Sequence, residues 1–163
     1  MIRLAQKADL PRLLEIFSAA KAFMRRSGNP KQWSGDYPNE LDFLEDIAKN
    51  RLYVIETDDG SDICACFMMA DGPDETYQVI LEGVWRSDSP YGVIHRVASD
   101  GTQRGILAQA VAFARQKYPH LRIDTHEDNL PMQKAVAKQG FVYRGIIITG
   151  DGTPRLAYDW LKE

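Results

Sequence analysis

The sequence predicts an α/β fold in which strands and helices are mixed, α+β fashion. Three observations predict it. Stretches of alternating apolar residues recur along the chain, and two pairs of them flank the turn signals Asp58-Asp59-Gly60 and Gly150-Asp151-Gly152, which close β-hairpins. In about four places the apolar period changes to that of a helix. A chain of 163 residues with 44% hydrophobic content is long enough to bury a sizeable core as about one domain. Residues 1–163 are therefore expected to form a single domain.

Met1 to Gln6 alternates as a short strand through Ile2 and Leu4, and Asp9 with Leu10-Pro11 starts a helix whose apolar face runs through Leu13, Ile16, Phe17, Ala20 and Phe23. Gly28-Asn29-Pro30 ends it. The segment up to Pro38 carries Trp33 and Tyr37 among polar residues, and Leu41, Phe43, Leu44 and Ile47 set the face of a second helix. Arg51 to Thr57 and Ile63 to Ala70 are the two strands of the first hairpin, with Met68 and Met69 as core filler. Asp71-Gly72-Pro73-Asp74 breaks the pattern. The segment from Glu75 to Pro90, holding Tyr77, Glu82, Trp85 and Arg86, is long for a connection between strands, and such connections often carry function.

A strand then resumes at Tyr91 through Val93, Ile94 and Val97, passes into a loop from Ala98 to Gly105, and continues as a helix with Ile106, Leu107, Ala110, Val111 and Ala114 on one face. Tyr118-Pro119 stops that helix and Leu121 to Thr125 is the next strand. Asn129 to Phe141 reads as a short helix, with Asn129 as N-cap, Pro131 in the first turn, an apolar stripe of Met132, Ala135 and Val136, and Gly140 at its end. Phe141 to Thr149 and Arg155 to Leu161 form the second hairpin.

Composition excludes several classes. A formal charge of −3, from 20 basic and 23 acidic residues well mixed, leaves no footprint for nucleic acid. No apolar run reaches the roughly 18 residues of a membrane span, and Met1 to Lys7 is too polar for a secretory signal, so a cytoplasmic protein without membrane contact is expected. Cys64 and Cys66, two apart on one strand face, read as buried reduced thiols. No further Cys or His lies near enough in sequence to suggest a metal site, so none is expected. His120 and His126 carry no motif and read as surface or turn residues.

The chemistry concentrates between Tyr91 and Ala114. A strand feeding a glycine-bearing turn whose last amides open a helix suits an anion, because unpaired N–H groups and the positive end of the helix dipole point the same way. The loop lacks GxxxxGK[ST] and GxGxxG, which removes support for nucleoside triphosphates and dinucleotides.

Val97, Gly105 and Ile106 resemble the strand end and pyrophosphate loop of the GNAT superfamily of N-acetyltransferases. The family's Q/R-x-x-G-x-G/A maps onto Thr102, Gln103, Arg104, Gly105, Ile106 and Leu107, with Thr102 in place of Gln or Arg and Leu107 in place of the small residue. Asn129, Gly140 and Phe141 keep the spacing of the family's second cofactor motif, and the order of elements matches over nearly the whole chain. The resemblance implies a central mixed, largely antiparallel twisted sheet of about six to seven strands flanked by about four helices. It also implies acetyl-CoA as acyl donor. Its contacts would fall on Val97, Ala98, Ser99, Thr102, Gln103, Arg104, Gly105, Ile106, Leu107, Asn129 and Met132. Arg104 and Gln103 are the side chains suited to the phosphates.

Acetyl transfer to an amine needs a neutral amine, a stabilised carbonyl oxygen and a leaving thiolate. By the resemblance, backbone amides near Val97 polarise the carbonyl. The tyrosine that serves many members as general acid falls on Val136, and the glutamate that serves some as base falls near Tyr91, so both are absent. A thiol pKa near roughly 8.5 lets the thiolate leave unaided. His95, placed by strand alternation on the face of Val97 with Arg96 opposite, has an intrinsic pKa of about 6.5 suited to accepting a proton; the other reading makes it a hydrogen-bonded core residue. Glu82, acting through water, is the next candidate.

Trp33 and Tyr37 either close the core from a loop or line the acceptor pocket, and Tyr77, Trp85 and Tyr91 would form its rim. The expected activity is transfer of acetyl from acetyl-CoA to a primary amine of a small molecule. The alternatives are a protein or peptide amine as acceptor, and a non-catalytic acyl-CoA binding module. A homodimer is implied only by analogy with the family.

Overall fold

The computed structural model describes residues 1–163. The element order is β1 (Ile2–Leu4), α1 (Leu10–Arg26), α2 (Glu40–Ala48), β2 (Leu52–Glu56), β3 (Ile63–Asp71), β4 (Gly92–Ser99), α3 (Ile106–Arg115), β5 (His120–Thr125), α4 (Leu130–Lys138), β6 (Val142–Ile148) and β7 (Pro154–Leu161), with short 3-10 turns at Lys7–Asp9 and Glu75–Tyr77. The strands form one seven-stranded sheet in the order β1-β2-β3-β4-β5-β7-β6. This is the mixed, largely antiparallel architecture with four helices that the sequence predicts. No helix is long and apolar enough to cross a membrane.

The chain folds as two compact units. The first comprises Met1–Met69 and His95–Ile106. Here β1 pairs antiparallel with β2, Ile2 opposite Ile55, and β2 with β3, Leu52 opposite Met68. The α1 stripe of Leu13, Ile16 and Phe17 is buried, because its spacing puts all three on one face. Phe17 lies 4.2 Å from Phe43 of α2 and 5.4 Å from Trp33, ring centroid to centroid. Asn39 caps α2 through a reciprocal arrangement, its side chain accepting from the Leu41 and Asp42 amides while the Asp42 carboxylate accepts from the Asn39 amide. Cys64 and Cys66 are buried free thiols, as expected, and burial pushes the Cys66 thiol up, out of reach of reaction at neutral pH.

The opening strand is shorter than its alternation suggests. Asp9 binds the Gln6 amide at 2.8 Å and Arg3 at 2.9 Å, which folds residues 7–9 into a turn before α1.

The second unit comprises Ala70–Ile94 and Leu107–Glu163. β4 opens parallel to β5, with Gly92 opposite Leu121, and β5, β7 and β6 pair antiparallel. Gly92 is required there: a Cβ would stand 2.4 Å from the Tyr118 ring. The segment 75–90 is a folded structure in its own right. Leu81 exchanges two backbone hydrogen bonds with Ile146 at 2.7 and 2.8 Å, and Gly83 lies so close to Arg144 that a Cβ would fall 1.8 Å from its carbonyl oxygen. His120 lies on β5, 1% exposed, and His126 is 7% exposed. Both are interior residues. This corrects the surface reading of both, while the turn reading holds for His126, whose carbonyl accepts from the Asn129 amide at 3.0 Å; for His120, neither hydrophobic period nor motif distinguishes a buried polar residue on a strand.

Candidate active site

β4 carries the first part of the site. Arg96 has φ +51, a left-handed conformation uncommon for a side-chain-bearing residue, and such a residue inside a strand bends it and interrupts its alternation. The period-two argument that put His95 and Val97 on one face therefore fails across this position. His95, Arg96 and Val97 are all half-buried, and Ala98 is 3% exposed.

After the strand the chain turns tightly on its own side chains. Ser99 Oγ accepts from the Gly101 amide at 3.0 Å, and Asp100 Oδ1 accepts from the amide and hydroxyl of Thr102 at 2.9 and 2.6 Å. The other Asp100 oxygen accepts from Arg12 at 2.7 Å. Ser99 and Thr102, expected to meet the cofactor, are thus committed inside the loop. Beside them runs an open groove of about 580 Å³ lined by Arg12, Asp58, Asp59, Asp62, Asp100 and Thr102. Its one cation is already bonded to Asp62 and Asp100, so this side repels phosphate.

The helix side of the loop differs. Gly105, at φ +74 with open space where a Cβ would stand, turns the chain into the first amides of α3, which as helix-opening groups have no intrahelical acceptor. Arg104 is exposed and Gln103 half-exposed beside it. Ile106 and Leu107 are 8% and 7% exposed, so their side chains belong to the core and only their backbone is available to a ligand.

Asn129 is the N-cap of α4, accepting from the Met132 amide at 3.2 Å, and Met132 is half-buried. Asn129 therefore has a structural duty independent of any cofactor.

The expected acceptor residues separate into two groups. Trp33 is 8% exposed and packed into the first unit's core, while Tyr37 is 46% exposed. Tyr37 accepts a hydrogen bond from Arg96 Nε at 3.2 Å. Arg96 also donates to Asp46, a fully buried carboxylate on α2 that receives Arg51 Nε at 2.6 Å on its other oxygen. This Asp46–Arg51–Arg96 cluster was not anticipated. The signal was present: Asp46 shares the buried stripe of Phe43 and Ile47, and a carboxylate facing a core needs a cation.

In the second unit, Tyr77 is 1% exposed and donates to Asp124 at 2.6 Å, and burial with that carboxylate pushes its phenol well up. Trp85 donates to the Tyr77 carbonyl at 2.9 Å. The Arg122 guanidinium lies 4.0 Å from both the Trp85 and the Tyr91 ring centroids and donates to the Ser87 carbonyl at 2.9 Å. Tyr91 accepts from the Asp74 amide at 2.9 Å. Tyr77, Trp85 and Tyr91 hold segment 75–90 in place. The expectation that Tyr77 contacts a substrate is corrected by its burial. Glu82 is exposed, with φ +55.

Neither a family sequence model nor a curated protein matches the chain, whereas solved structures do. A GNAT family acetyltransferase from Streptococcus agalactiae is 34% identical over 100% of this chain and 95% of its own, with a TM-score of 0.88. A GNAT family acetyltransferase from Listeria monocytogenes has a TM-score of 0.71 at 18% identity, covering 99% of this chain and 94% of its own. A ribosomal-protein-alanine N-acetyltransferase from Brucella melitensis has a TM-score of 0.61 at 21% identity, with 99% of each chain covered. The full-length match at 34% identity, together with the bent fourth strand and its glycine loop, places the chain in the GNAT family of acetyltransferases. It is an N-acetyltransferase.

Proposed function

We propose that the protein transfers the acetyl group of acetyl-CoA directly to a primary amine of a small molecule. The observation that carries the donor assignment is the helix side of the β4–α3 loop: Gly105 at φ +74, the opening amides of α3 and the exposed guanidinium of Arg104 fit a pyrophosphate. The acidic groove on the other side leaves that face as the one available to an anion.

In the transfer the neutral amine attacks the thioester carbonyl, the N–C bond forms, and the C–S bond breaks with its electron pair leaving on sulfur. The backbone near Val97, where Arg96 bends the strand, is the candidate for polarising the carbonyl oxygen, a role that needs an amide and no particular side chain. His95 is the candidate acceptor for the amine proton. The exposed Glu82 is the second choice, through water.

The test is thermal stability with CoA, acetyl-CoA, ATP and NAD in parallel, followed by thiol release with an amine panel. A ligand at about 100 times its Kd stabilises by roughly 2.7 kcal/mol, so a shift confined to the CoA compounds is expected. Arg104→Ala should raise the Kd for CoA about fivefold, the loss of one exposed charge-assisted contact. No shift with CoA overturns the donor assignment.

A further inference from the structure

We propose that the acceptor amine carries a carboxylate, held by the free Nη2 of Arg96 and the hydroxyl of Tyr37. This inference rests on the small-molecule acetyl-transfer reading and names its substrate class.

Three observations lead to it. The first is charge. Asp46 needs one cation for neutrality, and Arg51 supplies it at 2.6 Å. Arg96 is the second guanidinium on the same carboxylate, so the bonded group carries one surplus positive charge. Its side chain is only 17% exposed, so water screens little of its attraction for an incoming anion.

The second is the donors left over. Arg96 spends Nη1 on Asp46 and Nε on the Tyr37 hydroxyl oxygen, which leaves Nη2 and its two hydrogens unused. Tyr37 accepts that bond, so its own hydrogen points elsewhere. The ring is 46% exposed and stands under the guanidinium, 5.8 Å from Arg96 Cζ to its centroid. A guanidinium edge and a phenol hydrogen, locked to each other and backed by Asp46, present donors that match the two oxygens of a carboxylate.

The third is position. Arg96 holds φ +51, between His95 and Val97, the residues proposed for proton acceptance and carbonyl polarisation. Strained backbone of this kind is retained where the surroundings fix it, and here it puts the carboxylate-binding side chain one residue from each. A carboxylate on Arg96 therefore lies within one arginine side chain's length of the β4 backbone that carries both.

The experiment compares amino acids with the corresponding carboxamides as acceptors, reading kcat and KM from thiol release with acetyl-CoA. Carboxylates should exceed carboxamides at least about tenfold in kcat/KM, mostly through KM, even though the carboxamides present more neutral amine. Tyr37→Phe keeps the ring and should lower kcat/KM about threefold to tenfold for carboxylates and by less for carboxamides, whose carbonyl accepts the weaker bond, so that the ratio between the two narrows. Because Tyr37 is exposed, that variant is expected to fold, so the test does not depend on an Arg96 variant. Carboxamides used as well as carboxylates overturn this inference alone, as do peptides acetylated in preference to free amino acids. No thiol release with any amine overturns the acetyl-transfer reading and this inference with it.

Discussion

Arg96 and Arg122 are both arginines within strands and each lies against an aromatic side chain, but they are held in different ways. Arg96 shares a buried carboxylate with Arg51, touches a phenol that is half in water, and keeps an unused nitrogen. Arg122 is 4% exposed, is sandwiched between Trp85 and Tyr91, and has one side-chain-to-carbonyl bond, with its Nε buried and unpartnered. The first arrangement is ionic and open on one side. The second is a stacking device that ties a long connection to a sheet face, and burial lowers the Arg122 pKa where the Arg96 surroundings raise theirs. The difference teaches that the guanidinium's plane and its charge are separable uses, and that each makes its own prediction under substitution.

The largest effect should come from Asp46→Asn. It leaves Arg51 and Arg96 facing each other without the carboxylate between them, and breaking such a pair by removing one partner costs about 3 kcal/mol or more. Urea denaturation should show the midpoint fall by that loss divided by the m-value, with m itself unchanged. A cost under about 1 kcal/mol would mean that water reaches the cluster, and the contrast with Arg122 would collapse.

Arg122 should respond to shape before charge. Arg122→Ala empties the slot between two rings and should cost about 2 kcal/mol, while Arg122→Met, which refills it, should stay within about 1 kcal/mol of the wild type. Denaturation of both variants decides. Equal losses in the two would make Arg122 an ionic residue like Arg96.

The two regions were unequally legible in the sequence. Elements with a clean period were read to within a residue or two: α3 with Ile106, Ala110 and Ala114 on one face, α4 with its Asn129 cap, and the hairpin turning at Gly150-Asp151-Gly152. Local hydrogen bonding and apolar spacing determine these, and both are written in consecutive residues. Arg96 was read only from strand alternation, as facing away from His95, whereas its left-handed backbone is set by what packs around it and leaves no local mark. Segment 75–90 read as a functional loop with aromatic contacts to offer. Its aromatics are held by Asp124 and Arg122, about 40 residues further on, pairings that no window of sequence contains. The glycine loop lay between these cases. Gly105 was legible as a turn, whereas the commitment of Thr102 to Asp100 only shows once Arg12 is brought to the same carboxylate.

The smallest effect concerns His120, beside the Arg122 slot. Its Nδ1 lies 3.1 Å from the Ser89 carbonyl, which can only accept, and 3.0 Å from Ser89 Oγ, which can accept or donate, so the neutral tautomer that suits both neighbours carries its hydrogen on Nδ1. Nε2 is buried without a partner. Protonation would place a second N–H there with no acceptor. Burial, then the Arg122 charge, with Arg86 adding to it, lowers the His120 pKa from its ordinary 6.5, against Ser89 and Asp159, which favour the proton. In the unfolded chain His120 takes a proton near that ordinary value, and in the folded chain only at lower pH. Between the two, the unfolded state holds more protons, so stability is fully present above about pH 6.5 and falls as the pH drops through that window, at no more than about 1.4 kcal/mol per pH unit for one group. Asp59 and Asp151, held at about 2 by their hydroxyl and amide donors, titrate too low to contribute. Urea unfolding between about pH 7.5 and 5 should therefore show a steeper acid loss in the wild type than in His120→Asn, a difference that cancels whatever His95 and His126 add to both. Parallel curves would mean that His120 Nε2 finds a partner on protonation, and that the slot around Arg122 admits water.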